Sequence, residues 1–372
     1  MIVIADLHIG RVNDSVMIDG TPSQMVDVLR RLTTITARAK MTKQCVVVAG
    51  DVFNTVNPTS RSLSLLFTWL NDCRRSGVNV YIIAGNHDAG VDWTSSTMLN
   101  SANLPNVIVV TSLQYVDVEE RGITRSVLFF SHLPMQMQDR ATQGHGSVSR
   151  WASGMFSKAE LVISHGMIKS HDYSNDIFFE AGNAMVVEPA EFKNLKLMVL
   201  GHVHDHTRGD LWVYPGSLTI NNFGELEERK GWVEVDLKDL SYEWHEFPDD
   251  VTPWVHAEID LTDKDERSLD EDSVKELVEG AIVKVTVLTK SHGVVDEAYL
   301  RQLFGRWAHV SRFETKVVGG DAREALPEPA RLSHSEILKE YLDDSDTLPG
   351  EKKAAYKLGS EIITQVMGGS DD

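Results

Sequence analysis

Residues 195–206 read LKLMVLGHVHDH, an apolar run of strand length that ends in three histidines and an aspartate. Side chains alternate between the two faces of a strand, so His202, His204 and His206 point to the same side. Imidazoles crowded on one face repel one another when protonated, so something must hold them neutral. Either a metal ion or a buried hydrogen-bond network would do so, and the remaining motifs discriminate between the two.

An apolar run that ends in polar, metal-capable side chains recurs four more times. These residues are Asp6 and His8 in ADLH, Asp51 in AGD, Asn86, His87 and Asp88 in AGNHD, and His165 in ISHG. Open α/β sheets collect ligand sites beyond the carboxyl ends of their strands, so the five strand ends are expected to converge. Each motif alone is a weak signal, whereas all five in this order are a strong one.

The part of the chain that carries these motifs, residues 1–247, is predicted to form one α/β unit. Seven runs have the length and β-branched content of buried strands: MIVIA, QCVVVAG, VNVYIIAG, NVIVV, SVLFF, AELVIS and LKLMVL. Apolar residues three to four apart predict helices around 25–35 and 63–70, and this alternation predicts sheets covered by helices. The stretch 134–155, rich in Gln, Ser and Gly, is predicted to be a long surface excursion.

Beyond this unit the sequence changes character. Two predicted strands, AIVKVTVLT and RFETKVV, flank the predicted helix VDEAYLRQLFGRWA, so residues 248–319 are expected to form a small α+β domain. A Pro/Gly/Ala-rich linker is predicted at 320–332. Ser333 and Glu336 fit a capping box, and two amphipathic helices are predicted within 333–367. This helical segment would either bind a partner or dock back onto the body, and the sequence favours neither.

The composition limits the class of protein. Of 372 residues, 42% are hydrophobic and 24% are charged, which indicates a soluble globular chain. The sequence has no apolar run as long as a membrane span, and MIVIADLHIG lacks the basic segment of a signal peptide. Cys45 and Cys73 are expected to be reduced packing residues of a cytoplasmic protein. The net charge of −19 argues against nonspecific coating of DNA, but not against an enzyme that grips phosphate through bound cations.

The mixture of candidate ligands narrows the chemistry. Carboxylates, an amide oxygen and imidazoles, without any cysteine, suit manganese, iron or zinc. More of these groups are present than one ion needs. Two ions that share a bridging carboxylate would use them all, which is the arrangement found in phosphatases and nucleases.

Taken together, D-x-H, G-D, G-N-H-D, H and G-H-x-H resemble the pattern of the calcineurin-like metallophosphoesterases. DLHIG, AGDVF, AGNHD and YPGSLTINNFGE followed by KGWVEVDL are similar, within that family, to the bacterial and phage SbcD-type nuclease subunits of the Mre–Rad family. The resemblance implies a four-layer α/β/β/α sandwich with a capping domain at 248–319 and a C-terminal helical segment that binds a coiled-coil ATPase. It is specific as far as KGWVEVDL and only architectural beyond that motif.

Carried over position by position, the resemblance implies two divalent metal ions, with manganese favoured. One set of ligands would be Asp6, His8 and His204, the other would be Asn86, His165 and His202, and Asp51 would bridge the two ions.

The resemblance also implies groups that assist the reaction without binding metal. His87 matches the histidine that acts at the scissile phosphate, and Asp88 is the nearest candidate to orient it. Asn54 stands where family members commonly carry histidine or aspartate. Its amide could contact the substrate, but it cannot transfer protons near neutral pH.

Two further histidines and two tryptophans are considered as functional residues. His132 in SHLP also follows an apolar run and rivals His165 as a ligand, but the family pattern favours His165. His206 is expected in a loop near the site without binding metal. Trp232 and Trp244 are expected to be packing residues.

Three functions follow as hypotheses. The first is a metal-dependent DNA nuclease subunit, with exonuclease and endonuclease action, that works in DNA repair and recombination with an SbcC-type ATPase. Its partners would be DNA and that ATPase, with a homodimer also allowed and no membrane. The second keeps the metals but acts as a metallophosphatase or as a small-molecule or cyclic-nucleotide phosphodiesterase, which suits the acidic net charge. The third is a structural bridge with a relic metal site, against which the intact ligand set argues.

Overall fold

A computed structural model describes residues 1–12, 16–88, 99, 104–169, 184–290 and 295–318. The predicted linker at 320–332 and helical segment at 333–367 lie outside these residues. In chain order the strands are β1 (Ile2–Ile4), β2 (Met17–Ile18), β3 (Thr21–Pro22), β4 (Val46–Ala49), β5 (Val80–Ile83), β6 (Val107–Val110), β7 (Leu113–Glu120), β8 (Ile123–Phe130), β9 (Leu161–His165), β10 (Met167–Ile168), β11 (Val186–Val187), β12 (Leu197–Gly201), β13 (Thr207–Arg208), β14 (Trp212–Tyr214), β15 (Gly231–Val235), β16 (Tyr242–Glu246), β17 (Trp254–Asp260), β18 (Ile282–Thr289) and β19 (His309–Val317). The α-helices are α1 (Ser23–Thr42), α2 (Ser60–Arg75), α3 (Met135–His145), α4 (Val148–Met155), α5 (Glu271–Val278) and α6 (Glu297–Gly305).

Two six-stranded sheets contain all seven of the predicted strands. The first sheet has the order β16-β15-β1-β4-β5-β6, and the second has the order β13-β14-β12-β9-β8-β7. Strands β1, β4, β5 and β6 are parallel, and so are β14, β12, β9 and β8. The carboxyl ends of the parallel strands in each sheet therefore share one edge, and the five motifs fall there.

Alternation along the strands sorts the apolar side chains into three cores. Ile2 and Ile4 join the core beneath α1 and α2, whereas Val3 between them faces the core between the two sheets. The third core lies under α3 and α4 and contains Phe130 of β8 and Ala152 of α4. The layers are thus helix, sheet, sheet and helix, so the predicted four-layer α/β/β/α sandwich is confirmed.

The stretch 134–155 differs from its prediction as a surface excursion. It forms α3 and α4, which bury Ala141, Val148 and Ala152 in the third core. Ser147 begins α4 as its N-cap, because its hydroxyl accepts a hydrogen bond from the Arg150 nitrogen at 3.0 Å. The buried faces of both helices consist of small side chains, and the Gln, Ser and Gly around them concealed the helical period.

The predicted α+β elements past residue 248 are present. β17, β18 and β19 form a three-stranded sheet with β18 in the middle. Helices α5 and α6 bury Val278 and Phe304, among other apolar residues. Helix α5 lies in the acidic stretch, where the Asp270 carboxylate caps it by accepting a hydrogen bond from the Ser273 nitrogen at 2.9 Å.

Contacts divide the chain into two compact units. The first comprises Met1–Ile259, Asp265–Val287 and Asp296–Glu314, and the second comprises Asp260–Lys264, Leu288–Val295 and Thr315–Asp372. Among the described residues of the second unit, Lys290 forms an ion pair with Asp263. The predicted domain boundaries at 247 and 319 stay predictions, because most of the second unit lies outside the described residues.

Two further predictions concern the state of the cysteines and the presence of membrane-spanning helices. Cys45 and Cys73 are both unbonded to any other cysteine and buried, as expected for reduced packing residues. Among the described residues, none of the helices has the length and apolarity needed to cross a bilayer.

Candidate dinuclear metal centre

Loops that follow parallel strands of both sheets meet at one edge of the sandwich. Asp6 and His8 follow β1, Asp51 follows β4, Asn86 follows β5, His165 ends β9, and His202 and His204 follow β12. All seven of the predicted ligands are therefore brought to the same edge.

The backbone at this edge is strained. Asp6, His8 and Asp51 have φ values of 53°, 42° and 49°, in the left-handed region that side-chain-bearing residues rarely adopt. Hydrogen bonds between the loops hold them there: the Asp6 nitrogen donates to the Gly50 carbonyl at 3.2 Å, and the His8 nitrogen to the Asp51 carbonyl at 3.0 Å. Strain of this kind costs about 1–3 kcal/mol per residue and concentrates at functional sites.

One group of side chains converges on His8 and His204. Their Nε2 atoms lie 3.0 Å apart, and Asp6 offers a carboxylate oxygen within 4.8 Å of both imidazoles. The Nδ1 atom of His204 donates to Glu225 Oε1 at 2.9 Å, so the Nε2 lone pair faces the centre. Asp51 Oδ2 lies 3.7 Å from His8 Nε2.

A second group converges on Asn86. Its Oδ1 lies 3.0 Å from His165 Nε2 and 3.0 Å from His202 Nδ1. Asp51 Oδ1 lies 3.4 Å from the same His165 nitrogen, so the two oxygens of Asp51 face the two groups. The Nδ1 atom of His165 donates to the Ala49 carbonyl at 2.8 Å, which directs its Nε2 lone pair at these oxygens.

This donor set requires positive charge at its centre. His165 Nε2 faces the oxygen atoms Asn86 Oδ1 and Asp51 Oδ1, so a proton or a cation has to lie between the nitrogen and these oxygens. Burial disfavours a charged imidazole, but the Asp51 carboxylate outweighs that cost and raises the pKa of His165 to about 9. Burial, helped by His165, lowers the pKa of His202 to about 3 and keeps that ring neutral. Divalent cations fit the set, because they displace the proton and bind neutral imidazole, amide oxygen and carboxylate.

His87 lies at the side of the centre. Its Nδ1 donates to the backbone carbonyl of Asn54 at 2.9 Å, which directs Nε2 toward Asp51, 3.9 Å from Oδ2. The side chain is 29% exposed, so a substrate can reach it. His8, Asp51 and His87 also form a group of potential ligand atoms within 4.8 Å of one another, so proximity alone does not separate a catalytic role from metal binding.

The contacts of Asp88 correct its predicted role in orienting His87. Its carboxylate accepts hydrogen bonds from the backbone nitrogens of Val52, Phe53 and Gly85 at 2.9–3.0 Å. Asp88 thereby ties the loop after β4 to the loop after β5. Neighbouring side chains in this turn point to different partners, and the Asn54 carbonyl is the group that orients His87.

The surroundings of the Asn54 side chain do not test its predicted contact with substrate. Among the described residues, its Oδ1 atom is buried and has no hydrogen-bond partner. The contact with substrate stays a prediction.

His132 and His206 do not join either group of ligands. The ring of His132 is buried, and this burial lowers its pKa to about 4. His206 donates from Nδ1 to the Tyr214 carbonyl at 2.8 Å, and its ring stacks on Trp244 with centroids 4.2 Å apart. Trp232 is buried beside Phe247, so both tryptophans pack against the protein as expected.

Sequence reasoning missed a charged network behind His204. Glu225 is 3% exposed, accepts from His204, and accepts from Lys230 Nζ at 2.8 Å. Glu225 ends the motif YPGSLTINNFGE and Lys230 begins KGWVEVDL, but their spacing is not that of a metal site. Only the folded chain shows that they back a ligand-type histidine.

We expect Gly85→Ala to disrupt the centre. An added Cβ would lie 2.0 Å from Oδ1 and 2.3 Å from the backbone nitrogen of Asp51, so the loop has to move. The expected result is a loss of about 1–3 kcal/mol in the free energy of unfolding, with weaker metal binding, measured by denaturant unfolding and metal titration. Gly144→Ala in α3 is the matched control, because its Cβ would meet nothing within 4 Å. Wild-type metal binding by Gly85→Ala contradicts this account.

Comparisons with known proteins agree with the chemistry of the site. A family model for calcineurin-like phosphoesterases matches residues 1–206, which include all seven converging residues. The chain is 24% identical over 232 residues to an uncharacterized metallophosphoesterase, YhaO, of Bacillus subtilis, covering 59% of this chain and 51% of that protein. It is 21% identical over 210 residues to an SbcCD nuclease subunit of Staphylococcus epidermidis, covering 52% of this chain and 55% of that protein. The chain thus spans about half the length of these curated relatives.

Two solved structures are also similar. A protein of Thermus thermophilus gives a TM-score of 0.38 at 12% identity and covers 66% of this chain and 97% of its own. A dimetal phosphatase from Danio rerio gives a TM-score of 0.39 at 12% identity, and the match covers 62% of this chain and 91% of that protein. Because the family model matches more than half of the chain, this protein belongs to the calcineurin-like phosphoesterases and is a metal-dependent phosphoester hydrolase.

Proposed function

We propose that this phosphoesterase is a DNA nuclease subunit that uses two divalent ions, with manganese as the favoured metal. Asp6, His8 and His204 would hold one ion, Asn86, His165 and His202 would hold the other, and Asp51 would bridge the two. The observation that carries the proposal is the position of Asp51, whose Oδ2 faces His8 and whose Oδ1 faces His165. A carboxylate placed in this way can join two ions at the short spacing that phosphate-ester cleavage uses.

The chain's own residues hold the ligands in place. Both carboxylate oxygens of Asp6 accept from the His202 nitrogen at 3.0 Å, which links the end of β1 to the end of β12. The Ala49 carbonyl fixes the ring of His165 in the same way from behind. When bound, divalent ions supply the Lewis acidity that makes water nucleophilic near neutral pH and neutralise phosphate charge.

His87 is the proposed catalytic residue. The Asn54 carbonyl occupies its Nδ1–H, so Nε2 is the end available to a substrate beside Asp51. A proton at Nε2 would stabilise charge on the phosphate or pass to the leaving oxygen.

DNA as the substrate is supported by likeness to the Staphylococcus epidermidis protein named as a nuclease subunit and by the motif YPGSLTINNFGE. The SbcC-type ATPase partner rests on the same likeness. A cytoplasmic location stays a prediction. The net charge of −19 favours a second candidate, a phosphatase or phosphodiesterase for small substrates, because DNA binding relies on cationic contacts with phosphate.

The two candidates differ in the substrate that is turned over faster. With manganese, the full chain is expected to cleave hairpin and duplex DNA with a higher kcat/KM than a chromogenic phosphodiester. A reaction with chelator present is the control for metal dependence. Faster turnover of the chromogenic diester, with DNA left intact both alone and with the ATPase, would overturn the nuclease proposal and leave the second candidate.

A further inference from the structure

The segment TINNFGELEERK, residues 219–230, lies behind the proposed metal centre. It falls outside the residues that the family model matches, yet it contacts the ligand-type residue His204 through Glu225. We call it the backing segment. Two of its charged residues, Glu225 and Lys230, are buried but have no part in the reaction described above, so their burial needs a separate explanation.

Local hydrogen bonds give the backing segment a fixed shape. Asn222 caps the 3-10 turn Phe223–Glu225, because its Oδ1 accepts from the Gly224 nitrogen at 2.8 Å. Arg11 Nε donates to the Asn221 carbonyl at 2.9 Å and anchors the segment to the loop that also carries His8. The turn therefore holds Glu225 at a defined position behind the centre.

The carboxylate of Glu225 accepts four hydrogen bonds in the protein interior. Oε1 accepts from His204 Nδ1 at 2.9 Å and from Asn222 Nδ2 at 2.7 Å. Oε2 accepts from the Asn221 nitrogen at 3.0 Å and from Lys230 Nζ at 2.8 Å. A buried carboxylate is costly unless its lone pairs are satisfied, and here all four directions are used.

Lys230 connects this carboxylate to the backbone of the same histidine. Its Nζ lies 3.2 Å from the His204 carbonyl and 2.6 Å from Glu228 Oε2. The imidazole is thus held from its Nδ1 side by Glu225 and through its main chain by Lys230. A salt bridge that served only to join parts of the fold would have no need of these two contacts with one ligand-type residue.

We propose that Glu225 is a positioning residue that fixes the His204 ring and sets the affinity of the ion assigned to Asp6, His8 and His204. A carboxylate behind a metal-binding imidazole selects its tautomer and makes its coordinating nitrogen more basic. The inference rests on the proposed function, because it requires His204 to bind metal.

The two groups of ligands differ in the charge of the residue that supports a histidine from behind. His165, in the other group, is backed by the neutral carbonyl of Ala49 rather than by a carboxylate. Loss of the charge at Glu225 should therefore weaken one ion selectively, and a general loss of structure would not produce that asymmetry.

The test is a titration of manganese into the metal-free full chain and into its Glu225→Gln variant. Calorimetry measures the affinities, and electron paramagnetic resonance shows whether the bound ions are coupled. Glutamine keeps the shape of the side chain and removes its charge. The wild type is expected to bind two ions with the spectrum of a coupled pair. In the variant, one of the two affinities should fall about 10- to 100-fold, so that uncoupled manganese dominates until the metal is in large excess.

Glu228→Gln is the matched control. It removes another carboxylate partner of Lys230 without touching His204, so both affinities and the coupled spectrum should stay as in the wild type. If Glu225→Gln fails to fold, Glu225→Asp carries the same expected loss, because it keeps the charge and shortens the reach to His204.

The outcomes separate the inference from the proposed function. Two ions bound equally well by the wild type and by Glu225→Gln, even with a lower Tm in the variant, would overturn the inference and leave the proposed function standing. A wild type that binds fewer than two ions would overturn both.

Discussion

Asp51→Asn is expected to separate the two metal ions and to lower phosphodiester hydrolysis about 10³-fold, a loss of about 4 kcal/mol in transition-state stabilisation. Asp51 is the carboxylate that faces both ligand groups, with Oδ2 toward His8 and Oδ1 toward His165. A neutral amide has one acceptor oxygen and no charge, so it cannot bridge two cations. Metal stoichiometry and kcat on a chromogenic diester measure the two effects.

The control for this substitution is Asp210→Asn, which removes an exposed carboxylate shortly after the His202 motif. It should keep two ions and wild-type turnover. Two tightly bound ions and unchanged kcat in Asp51→Asn would show that another group bridges the metals.

His87→Ala is expected to lower kcat about 10²- to 10⁴-fold while the protein still binds two ions. The reason is that Nε2 of His87 faces the centre beside Asp51, and its ring is held by a backbone carbonyl rather than by a group that metal binding needs. Steady-state kinetics, with metal content measured on the same sample, separate catalysis from metal binding.

His145→Ala is the matched control for His87, because His145 is an exposed histidine of α3. Its kcat should equal that of the wild type. If His87→Ala instead loses one ion, then His87 is a ligand together with His8 and Asp51. Unchanged cleavage would place the catalytic group elsewhere.

The fold was predictable where a strand or helix carries large apolar residues in a regular period. The runs MIVIA and LKLMVL became β1 and β12, and the spacing around residues 25–35 became α1. Helices α3 and α4 escaped prediction because they pack through Ala141, Val148 and Ala152, which leave little periodic signal among polar neighbours. Helix propensity reports only local preferences. These two helices are stabilised instead by packing against the apolar face of the second sheet.

The candidate site was predictable in its ligands but not in their supports. Each ligand-type residue lies at the end of a strand or shortly after it, so its position could be inferred from the order of the motifs. The supports have no such rule: Asp88 binds backbone nitrogens, the Asn54 carbonyl holds His87, and Glu225 reaches His204 from a distant loop. Backbone acceptors and long-range partners leave no pattern in a single sequence.

The place of β1 within its sheet has a consequence for biosynthesis. β1 lies between β4 and β15, and Ile2 stands opposite Glu234 in the pairing with β15. As the ribosome releases the chain, β1 emerges before its neighbour β15, which is translated only after every ligand-type residue up to His204. One edge of β1 therefore stays unpaired until β15 has been made. Contacts between residues so distant in sequence slow folding, and an unpaired strand edge favours aggregation. The edge that carries Asp6 can become rigid only after β15 has been translated and has paired with β1.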